Sequence, residues 1–544
     1  MSEITYIGVT NFRDNFQRFG IKTDDRRRHL YIIGKTGVGK TTMLENMIIQ
    51  DISNRHGLGV IDPHGELIQR ILHFIPKDRI KDVIYFNPSD IEWPIAFNVI
   101  EEVPREWRHL VAAGLMGVFK KIWPDVWSAR MEYILNNALL ALLEYPGSTL
   151  LGINRLLSDA DYRKAVIEKI TDPTIKAFWQ REFAKYHERY ATEAVAPIQN
   201  KIGQFISNPL IRNIVGQKET KIDFREIMDE GKIFLGNLSK GSIGEENSAL
   251  LGGLLITKLQ LAAMSRVDIR EEERRDFYLY VDEFQNFSTE SFANIFAEAR
   301  KYRLNLTLAH QYIAQLNEKV RDAIFGNVGS LVSFRVGPED AEFLEKYFVP
   351  EFSKEDLMNL PNFHFYIKLM IDGNLSKGFS GMNIPPSALP SVSYIQDIIQ
   401  YSRQHYATPV REVEQEIAHW HYLDFSFSAP RKKEKKKGFS EGWEAVCSRC
   451  GKKIIVPFRP DPRRPVYCEE CLKIVRAEQA GKKANPRKSS LPSLKEIAPG
   501  GITERVSQRG VSSSERNSPK VIPQKDTLRE TLKTIIRSQQ KKGN

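Results

Sequence analysis

Cysteine is absent from the first 446 of the 544 residues, which excludes a disulfide framework for most of the chain. Long apolar runs are also scarce. The most apolar helical segment, residues 250–264, contains Lys258 and Gln260 and is shorter than the roughly 20 residues that a membrane span requires. The N-terminus lacks the apolar core of a signal peptide. These absences predict a soluble, cytoplasmic protein with no transmembrane segment.

Acidic residues are scarce at one end of the chain. Residues 431–544 contain 29 Lys and Arg against 12 Asp and Glu, a net charge of +17, whereas residues 1–430 contain 50 against 56, a net charge of −6. A basic tail can hold nucleic acid, ribosomes or anionic lipid by screened, sequence-independent attraction. A solvated disordered arm has the same composition, so the tail alone does not identify a partner.

The chain has 41% hydrophobic and 10% aromatic residues, and its length allows several domains with large cores. Apolar β-type runs followed by turn residues are found at LYII (30–33), GLGVI (57–61), DVIYF (82–86), KIFLGNL (232–238), FYLYV (277–281), LNLTLA (304–309), SLVSFRV (330–336) and FHFYIKLM (363–370). Several are apolar throughout, which is typical of central parallel strands covered on both faces. Because helical patterns such as 248–266 and 290–302 lie between them, we predict a doubly wound α/β sheet.

One long interval is almost wholly helical in pattern and predicts an all-α domain inserted between strands of the sheet. After it, Pro- and Ser-containing sequence and the run RKKEKKKG indicate a linker. The Lys-, Ser- and Pro-rich end of the chain predicts disorder, and its segment DTLRETLKTIIRSQQ is compatible with a short helix. The predicted parts are an N-terminal part of the α/β sheet domain (1–103), the inserted all-α domain (104–216), the C-terminal part of the sheet domain (217–385), a linker (386–440), a cysteine-containing module (441–475) and a basic, mostly disordered tail (476–544).

A phosphate-binding loop is predicted where GKTGVGKT matches G-x-x-x-x-G-K-[ST], after the run LYII and before an apolar helix. Its glycines let backbone N–H groups surround a phosphate, and the helix N-terminus adds a favourable dipole. Lys40 is expected to reach the β- and γ-phosphates of ATP, and Thr41 to ligate magnesium. The predicted nucleotide-binding residues of this loop are Gly34, Lys35, Thr36, Gly37, Val38, Gly39, Lys40, Thr41 and Thr42.

Two adjacent acids end the run FYLYVDEF at 277–284. At the carboxyl end of its strand Asp282 can hold the magnesium and its water shell, and Glu283 can polarise the attacking water. This pair indicates hydrolysis and not only binding, so the sheet domain of residues 1–103 and 217–385 is predicted to be an ATPase domain. Gln311 ends the run LNLTLAHQ and is predicted to sense the γ-phosphate or to position water; the alternative is a polar strand-end residue in a turn.

Phosphoryl transfer also needs a cation that neutralises developing charge, and a neighbouring subunit often supplies it. Arg300, before the strand that Gln311 ends, is the first candidate. Arg28, Arg303 and Arg335 are weaker candidates, because surface arginines are usually only solvated charges.

The stretch GVIDPHGE at 59–66 is open to three interpretations: a metal site, a catalytic cluster or a turn. Asp62 follows Lys40 by enough residues for a helix and a return to an adjacent parallel strand, so it is predicted near the nucleotide. No His or Cys lies near His64, which argues against a metal site. Pro63 and Gly65 are predicted to form the turn that ends the strand.

The cysteines form the pairs CSRC and CEEC, which have the two-knuckle spacing of a tetrahedral zinc site. A closed four-thiolate site is structural, and it stabilises a module too small for a core of its own. The sequence between the pairs is basic, apolar and aromatic, a composition that can contact nucleic acid or protein. We therefore predict a zinc ribbon at residues 441–475, with Cys447, Cys450, Cys468 and Cys471 as the zinc ligands.

Seven stretches follow one another along the chain: GKTGVGKTT, VIDPHGE, YFNPSD, WPIAFNV, LSKGSIGEE, VDEFQNF and AHQ. In this order they resemble the HerA/FtsK superfamily of DNA-pumping ATPases, and most closely the TraD/TraG-like coupling proteins of type IV secretion and conjugation. The resemblance implies a RecA-like P-loop NTPase sheet in a ring, usually a hexamer, which hydrolyses ATP to move DNA. It also implies that Asp282 and Glu283 act as the magnesium and base pair, Gln311 as the sensor and Arg300 as the finger across subunits. The sequence departs from that pattern in lacking the membrane anchor and in carrying the zinc module and basic tail.

Three functions compete on this evidence. The leading hypothesis is a DNA translocase for conjugative transfer, DNA uptake or related DNA processing. Its expected partners are DNA and type IV secretion or relaxosome proteins, which could recruit it to the inner face of the membrane. The second is an ATPase for protein secretion or type IV pilus assembly. The third is a nucleotide-regulated binding protein.

Overall fold

The computed structural model describes residues 3–290, 292–428, 443–456 and 458–482. The chain divides into two units, Met1–Glu434 and Lys435–Asn544. The tail after residue 482, with its predicted disorder and optional helix, lies outside the described residues.

Strands and helices alternate through the first unit, as the sequence predicts. The strands are β1 (Ile4–Thr10), β2 (Arg18–Lys22), β3 (Leu30–Ile33), β4 (Gly57–Asp62), β5 (Val83–Phe86), β6 (Ile233–Asn237), β7 (Phe277–Val281), β8 (Leu304–His310), β9 (Ser330–Ser333), β10 (His364–Lys368), β11 (Met370–Ile371), β12 (Asn374–Leu375), β13 (Phe379–Asn383), β14 (Trp443–Val446) and β15 (Lys453–Val456). The α-helices are α1 (Thr23–Arg26), α2 (Lys40–Ser53), α3 (Glu66–Leu72), α4 (Arg105–Ile122), α5 (Ala129–Leu142), α6 (Leu151–Ser158), α7 (Ala160–Lys169), α8 (Pro173–Ala177), α9 (Glu188–Ser207), α10 (Pro209–Val215), α11 (Phe224–Glu230), α12 (Lys240–Ile243), α13 (Glu245–Ser265), α14 (Phe292–Glu298), α15 (Glu318–Asn327), α16 (Pro338–Phe348), α17 (Lys354–Met358), α18 (Ile395–Tyr406), α19 (Val410–Ser428) and α20 (Glu469–Lys482).

Eleven strands of the described residues form one sheet, in the order β2-β1-β13-β10-β9-β3-β8-β7-β4-β6-β5. The strands from β9 to β5 in this order run parallel, and β10, β13, β1 and β2 extend the sheet with antiparallel pairs. The carboxyl ends of β3, β8, β7 and β4 therefore meet at one edge. In an open α/β sheet that edge is where ligands bind.

Both faces of the parallel strands are buried, because successive side chains of a strand point to opposite faces. In β3, Leu30 and Ile32 join one apolar cluster and Tyr31 and Ile33 join the other. Helix α2 covers the first face, and α13 packs in the cluster on the second. This double coverage explains why these strands are apolar throughout.

The helices predicted for residues 104–216 are present as α4–α10, between β5 and β6. They share the apolar cluster of α13. Helices α4 and α13 approach so closely that a Cβ at Gly114 would lie 2.5 Å from the Thr257 methyl carbon. Among the described residues, one helix, Glu245–Asp268, is long and apolar enough to cross a membrane, and 61% of its apolar window is buried in the protein.

The segment 386–440, predicted as a linker, contains the helices α18 and α19. Val413 and Ile417 pack with Leu151 of α6, so α19 is attached to the inserted helices. The Pro- and Ser-containing stretch at 384–392 conceals this, because apolar residues at helical spacing resume only after it. The linker prediction is therefore wrong for these two helices.

The described part of the second unit contains a hairpin and a helix. Strands β14 and β15 pair antiparallel, with Trp443 opposite Val456, and α20 follows. The four cysteines lie around these elements, two after β14 and two at the start of α20.

Candidate nucleotide and zinc sites

The phosphate loop joins β3 to α2 at the carboxyl edge of the sheet. Gly37 and Gly39 have φ angles of 78° and 114°, in the left-handed region that favours glycine. Lys35, Thr36 and Gly37 are exposed, so the concave side of the loop is open to a ligand. Lys40 is buried, and its Nζ donates to the carbonyls of Gly34 (2.7 Å) and Lys35 (3.1 Å). This cradle and its amine fit the phosphates of a nucleotide.

Neighbouring strands hold the loop at several points that the sequence motifs do not indicate. Asn383, at the end of β13, donates from Nδ2 to the Gly39 carbonyl (2.7 Å), and the Phe363 N–H donates to the Val38 carbonyl (2.8 Å). The Lys35 N–H donates to the Arg335 carbonyl (2.9 Å). These contacts fix the loop before a ligand binds.

Asp282 and Glu283 follow β7 directly, beside the phosphate loop. The Thr41 hydroxyl donates to Asp282 Oδ2 at 3.2 Å, which places a hydroxyl and a carboxylate together as hard oxygen ligands. Burial, with the nearby charges of Asp62 and Glu283, raises the pKa of Asp282 to about 6. Burial lowers the pKa of Lys40, and the charges of Glu283 and Asp282 oppose that shift. These residues fit a magnesium–nucleotide complex, whose positive ion would favour the ionised form of Asp282.

Glu283 is buried, with 7% of its surface exposed, and its backbone is left-handed at φ 49° and ψ 48°. Gln311, one residue past β8, donates from Nε2 to Glu283 Oε1. Gln285 donates from Nε2 to the other carboxylate oxygen, Oε2. The structure therefore brings Gln311 to Glu283, as expected for two strand ends at the same edge, and adds Gln285, which sequence reasoning missed.

His310, the last residue of β8, accompanies Gln311 at this edge. Its Nδ1 lies 2.6 Å from the Tyr31 hydroxyl, and its ring is completely buried. Burial lowers the pKa of His310 to about 3, with smaller effects from the charges of Lys40 and Lys121. The imidazole is therefore neutral at physiological pH.

Asp62 ends β4 and is 1% exposed. Its Oδ1 accepts from the His64 N–H at 2.8 Å and its Oδ2 from the Ile68 N–H at 3.2 Å, so it closes the turn into α3. Asp62 and Asp282 come at the ends of the paired strands β4 and β7, and the charge of Asp62 contributes to the raised pKa of Asp282. Within the described ranges, no group of metal-ligating side chains includes His64.

The candidate arginines lie at different places. Arg300 is exposed, in the 3₁₀ turn Ala299–Tyr302 that precedes β8. The seven residues of β8 span roughly 20 Å, so Arg300 lies at the opposite edge of the sheet from Gln311 of the same chain. Arg335 lies near the phosphate loop, where its guanidinium donates to the Leu360 carbonyl and to Asn362 Oδ1.

Both remaining candidates also lie at the amino edge. The Arg28 carbonyl accepts from the Gly329 N–H just before β9, and Arg303, just before β8, donates from Nε to the Glu271 carbonyl at 3.3 Å. Neither arginine is placed to reach the phosphate loop of its own chain.

The four cysteine sulfurs of the second unit lie within 4.8 Å of one another. The Sγ atoms of Cys450 and Cys468 are 3.8 Å apart, which is about the separation of two thiolates in a tetrahedron with Zn–S bonds near 2.3 Å. Backbone N–H groups of Cys450, Cys468 and Arg449 lower the pKa of Cys447 to about 6. The donor set and its spacing fit zinc.

The comparisons with known proteins agree with this architecture. Residues 16–348 match the family model described as the type IV secretion-system coupling protein DNA-binding domain. Residues 441–476 match a probable treble clef zinc finger, which makes the predicted zinc ribbon more specific: the second cysteine pair lies at a helix start and not in a second hairpin. No curated protein matches the sequence.

Two solved structures of the plasmid coupling protein TrwB share the fold. The complex with the GTP analogue GDPNP has 15% identity and a TM-score of 0.51, and covers 72% of this chain and 91% of that chain. The complex with ADP and Mg²⁺ has 14% identity and a TM-score of 0.50, and covers 68% and 89%. The RecA-like P-loop fold predicted from the motifs is thus confirmed.

Proposed function

Because the chain belongs to the family of type IV secretion-system coupling protein DNA-binding domains, we propose that it is a ring-forming DNA translocase driven by ATP hydrolysis. It acts in conjugative DNA transfer, DNA uptake or related DNA processing. The observation that carries the proposal is the meeting of Thr41, Asp282, Glu283 and Gln311 at one edge of the sheet. That set contains what phosphoryl transfer to water requires.

Each residue of the nucleotide site has its own role in ATP hydrolysis. The phosphate loop binds the phosphates through its N–H groups, and Lys40 turns its amine from the loop carbonyls to the β- and γ-phosphates. Thr41 and Asp282 would hold a magnesium ion, which would supply positive charge against the phosphates. Glu283 accepts the proton of the attacking water, and Gln311 orients that water.

A ring, in the predicted hexameric form, completes the site. Arg300 lies at the edge opposite the phosphate loop of its own chain, exposed and available to a neighbour. A neighbouring subunit that places its Arg300 at this loop supplies the cation for the transition state. Arg300→Ala is expected to abolish hydrolysis without weakening nucleotide binding by the individual chain.

DNA is the polymer that best fits the matched family, which is described as a DNA-binding domain. The +17 charge of residues 431–544 adds sequence-independent attraction to phosphates. We place the protein in the cytoplasm, where type IV secretion or relaxosome proteins can recruit it to the inner face of the membrane.

The −6 charge of residues 1–430 favours a second candidate, an ATPase that drives protein secretion or type IV pilus assembly. An acidic body repels DNA unless the surface of a ring channel is basic. The two candidates differ in what stimulates hydrolysis.

The test measures steady-state ATP hydrolysis by the full chain with no DNA, with single-stranded DNA and with double-stranded DNA. We expect DNA to raise kcat, and Glu283→Gln to lower it by at least about 100-fold while nucleotide binding persists. Hydrolysis that DNA leaves unchanged would favour the secretion candidate. Wild-type turnover in Glu283→Gln would refute the enzyme assignment.

A further inference from the structure

The 3₁₀ turn Phe284–Asn286, directly after Glu283, sends two side chains back to that residue. Gln285 donates from Nε2 to Glu283 Oε2, and Asn286 donates from Nδ2 to the Glu283 carbonyl at 2.9 Å. The first contact fixes the carboxylate and the second fixes the backbone. Neither residue belongs to the predicted set of site residues.

The carboxylate of Glu283 is held from two independent elements. Gln311, after β8, donates to Oε1, and Gln285, in the turn after β7, donates to Oε2. One amide leaves the carboxylate free to rotate about its last carbon–carbon bond. Two amides on different oxygens define the carboxylate plane, and therefore the direction in which its remaining lone pairs accept a proton.

The backbone of Glu283 supports this interpretation. A non-glycine residue in the left-handed region costs free energy and persists only where its surroundings enforce it, most often at functional sites. Asn286 enforces it here and is itself held by Lys240, the first residue of α12, whose Nζ donates to Asn286 Oδ1 at 2.9 Å.

Gln285 is oriented by Glu283 and not by other partners. Its Oε1 is buried and accepts no hydrogen bond from any described residue, so the contact of Nε2 with Glu283 determines the orientation of the amide. A buried amide oxygen without a donor is unfavourable, so its presence needs an explanation, and the contact of Nε2 with Glu283 provides one.

We infer that Gln285 is a positioning residue for hydrolysis: with Gln311 it holds the Glu283 carboxylate in the plane from which it accepts the proton of the attacking water. This inference rests on the proposed function. Gln285 acts through Glu283 and makes no hydrogen bond to the phosphate loop among the described residues.

The first experiment separates kcat from KM in the full chain. Gln285→Ala is expected to lower kcat for ATP hydrolysis by about 10- to 100-fold, because the general base is then no longer held in its productive orientation. KM for ATP should be unchanged. Gln285→Met has nearly the same length but donates no hydrogen bond, so it should lower kcat by a similar factor. Gln315→Ala, at an exposed glutamine of the next loop, is the matched control and should retain wild-type kcat.

The second experiment is a double-mutant cycle measured by single-turnover hydrolysis. If Gln285 acts through Glu283, Gln285→Ala has no further effect in the Glu283→Gln background. A residue that only stabilises the fold lowers the rate equally in both backgrounds. An additive cycle, a rise in KM without a fall in kcat, or wild-type activity of Gln285→Met would overturn the inference.

The outcomes separate the two proposals. If the wild type does not hydrolyse ATP, the proposed function fails. If the wild type hydrolyses ATP, Glu283→Gln abolishes hydrolysis and the Gln285 variants behave as wild type, only the positioning role fails.

Discussion

The nucleotide site and the four-cysteine site are held in place by different means. Asp282 and Glu283 follow a strand that is completely buried, between two apolar clusters. In the described part of the second unit, Trp443, Ile455 and Phe458 are exposed, while two of the cysteines are among its few buried residues. Packing and hydrogen bonds thus position the first site, whereas we expect the second to depend on a metal. The same chain should therefore respond to chelators and to acid in two separate steps.

Loss of one zinc ligand should have the largest effect. Cys450→Ser is expected to remove zinc and to unfold residues 443–482, because metal binding contributes about 10 kcal/mol or more to the folding of such modules. ATP hydrolysis in the absence of DNA should be unchanged, since the phosphate loop belongs to the other unit. Zinc content and protease sensitivity measure the first effect, and a hydrolysis assay measures the second.

Glu444→Ala, which removes an exposed carboxylate beside the cysteines, is the control for this comparison. It should retain zinc. If Cys450→Ser stayed protease-resistant without zinc, the module would have a stabilising core of its own, and the contrast between the two sites would disappear.

The next largest effect is expected at a buried ion pair in the first unit. Arg26 donates to both carboxylate oxygens of Asp51, at 2.7 and 2.8 Å, and both residues are buried. Asp51→Asn leaves the guanidinium without its charge partner and should lower the free energy of unfolding by about 3–5 kcal/mol. Denaturant unfolding measures this loss.

Arg270→Ala breaks an exposed ion pair with Glu273 and provides the comparison. It should change the free energy of unfolding by less than about 1 kcal/mol. Equal losses in the two variants would show that burial does not determine the cost.

Two glycines of the phosphate loop test whether packing positions the loop. A Cβ at Gly39 would lie 2.6 Å from Asn383 Nδ2, whereas one at Gly37 meets no atom within 4 Å among the described residues. Both glycines are left-handed, so each alanine costs about 1–2 kcal/mol, and the clash raises the cost at Gly39 to about 3 kcal/mol. Unfolding midpoints should rank Gly39→Ala below Gly37→Ala, and equal midpoints would contradict the role of Asn383.

The smallest expected effect is a difference in the pH at which acid destabilises the first unit and releases zinc from the second. Burial opposes ionisation of Asp51, but the charge and hydrogen bonds of Arg26 outweigh it and lower the pKa of Asp51 to about 2 from 3.8. Its contribution, about 2.5 kcal/mol, is therefore complete above pH 3.8 and is lost as the pH falls towards 2. Zinc should be released at a higher pH, because its thiolates must be protonated. Simultaneous loss of zinc and of the fold would contradict this order.

Much of the site follows from local sequence. A phosphate loop, a strand-end acid pair and a strand-end glutamine all require only that parallel strands end at one edge, so the proximity of Thr41, Asp282 and Gln311 is predictable. Asn383 and Phe363 are not, because they reach the loop from distant antiparallel strands and have no motif. Gln285 stands within the motif VDEFQNF, yet its contact depends on the left-handed backbone of Glu283, which sequence does not show.

Prediction of the fold from the sequence has the same limits. Apolar runs identify the parallel strands, because burial on both faces leaves a continuous apolar pattern. The helices α18 and α19 were missed, although Ile398, Val413 and Ile417 are buried residues of those helices. The sequence indicates only that Arg300 precedes the strand that Gln311 ends, whereas the topology shows that β8 separates the two residues.

The most direct test of the central claim is ATP-driven movement along DNA. In a displacement assay, the full chain with ATP should remove a triplex-forming oligonucleotide from double-stranded DNA. Glu283→Gln should bind the same DNA and leave the oligonucleotide in place. We predict that the wild type displaces the oligonucleotide only when hydrolysable ATP is present. Hydrolysis of ATP on DNA without displacement of the oligonucleotide would contradict the assignment as a translocase.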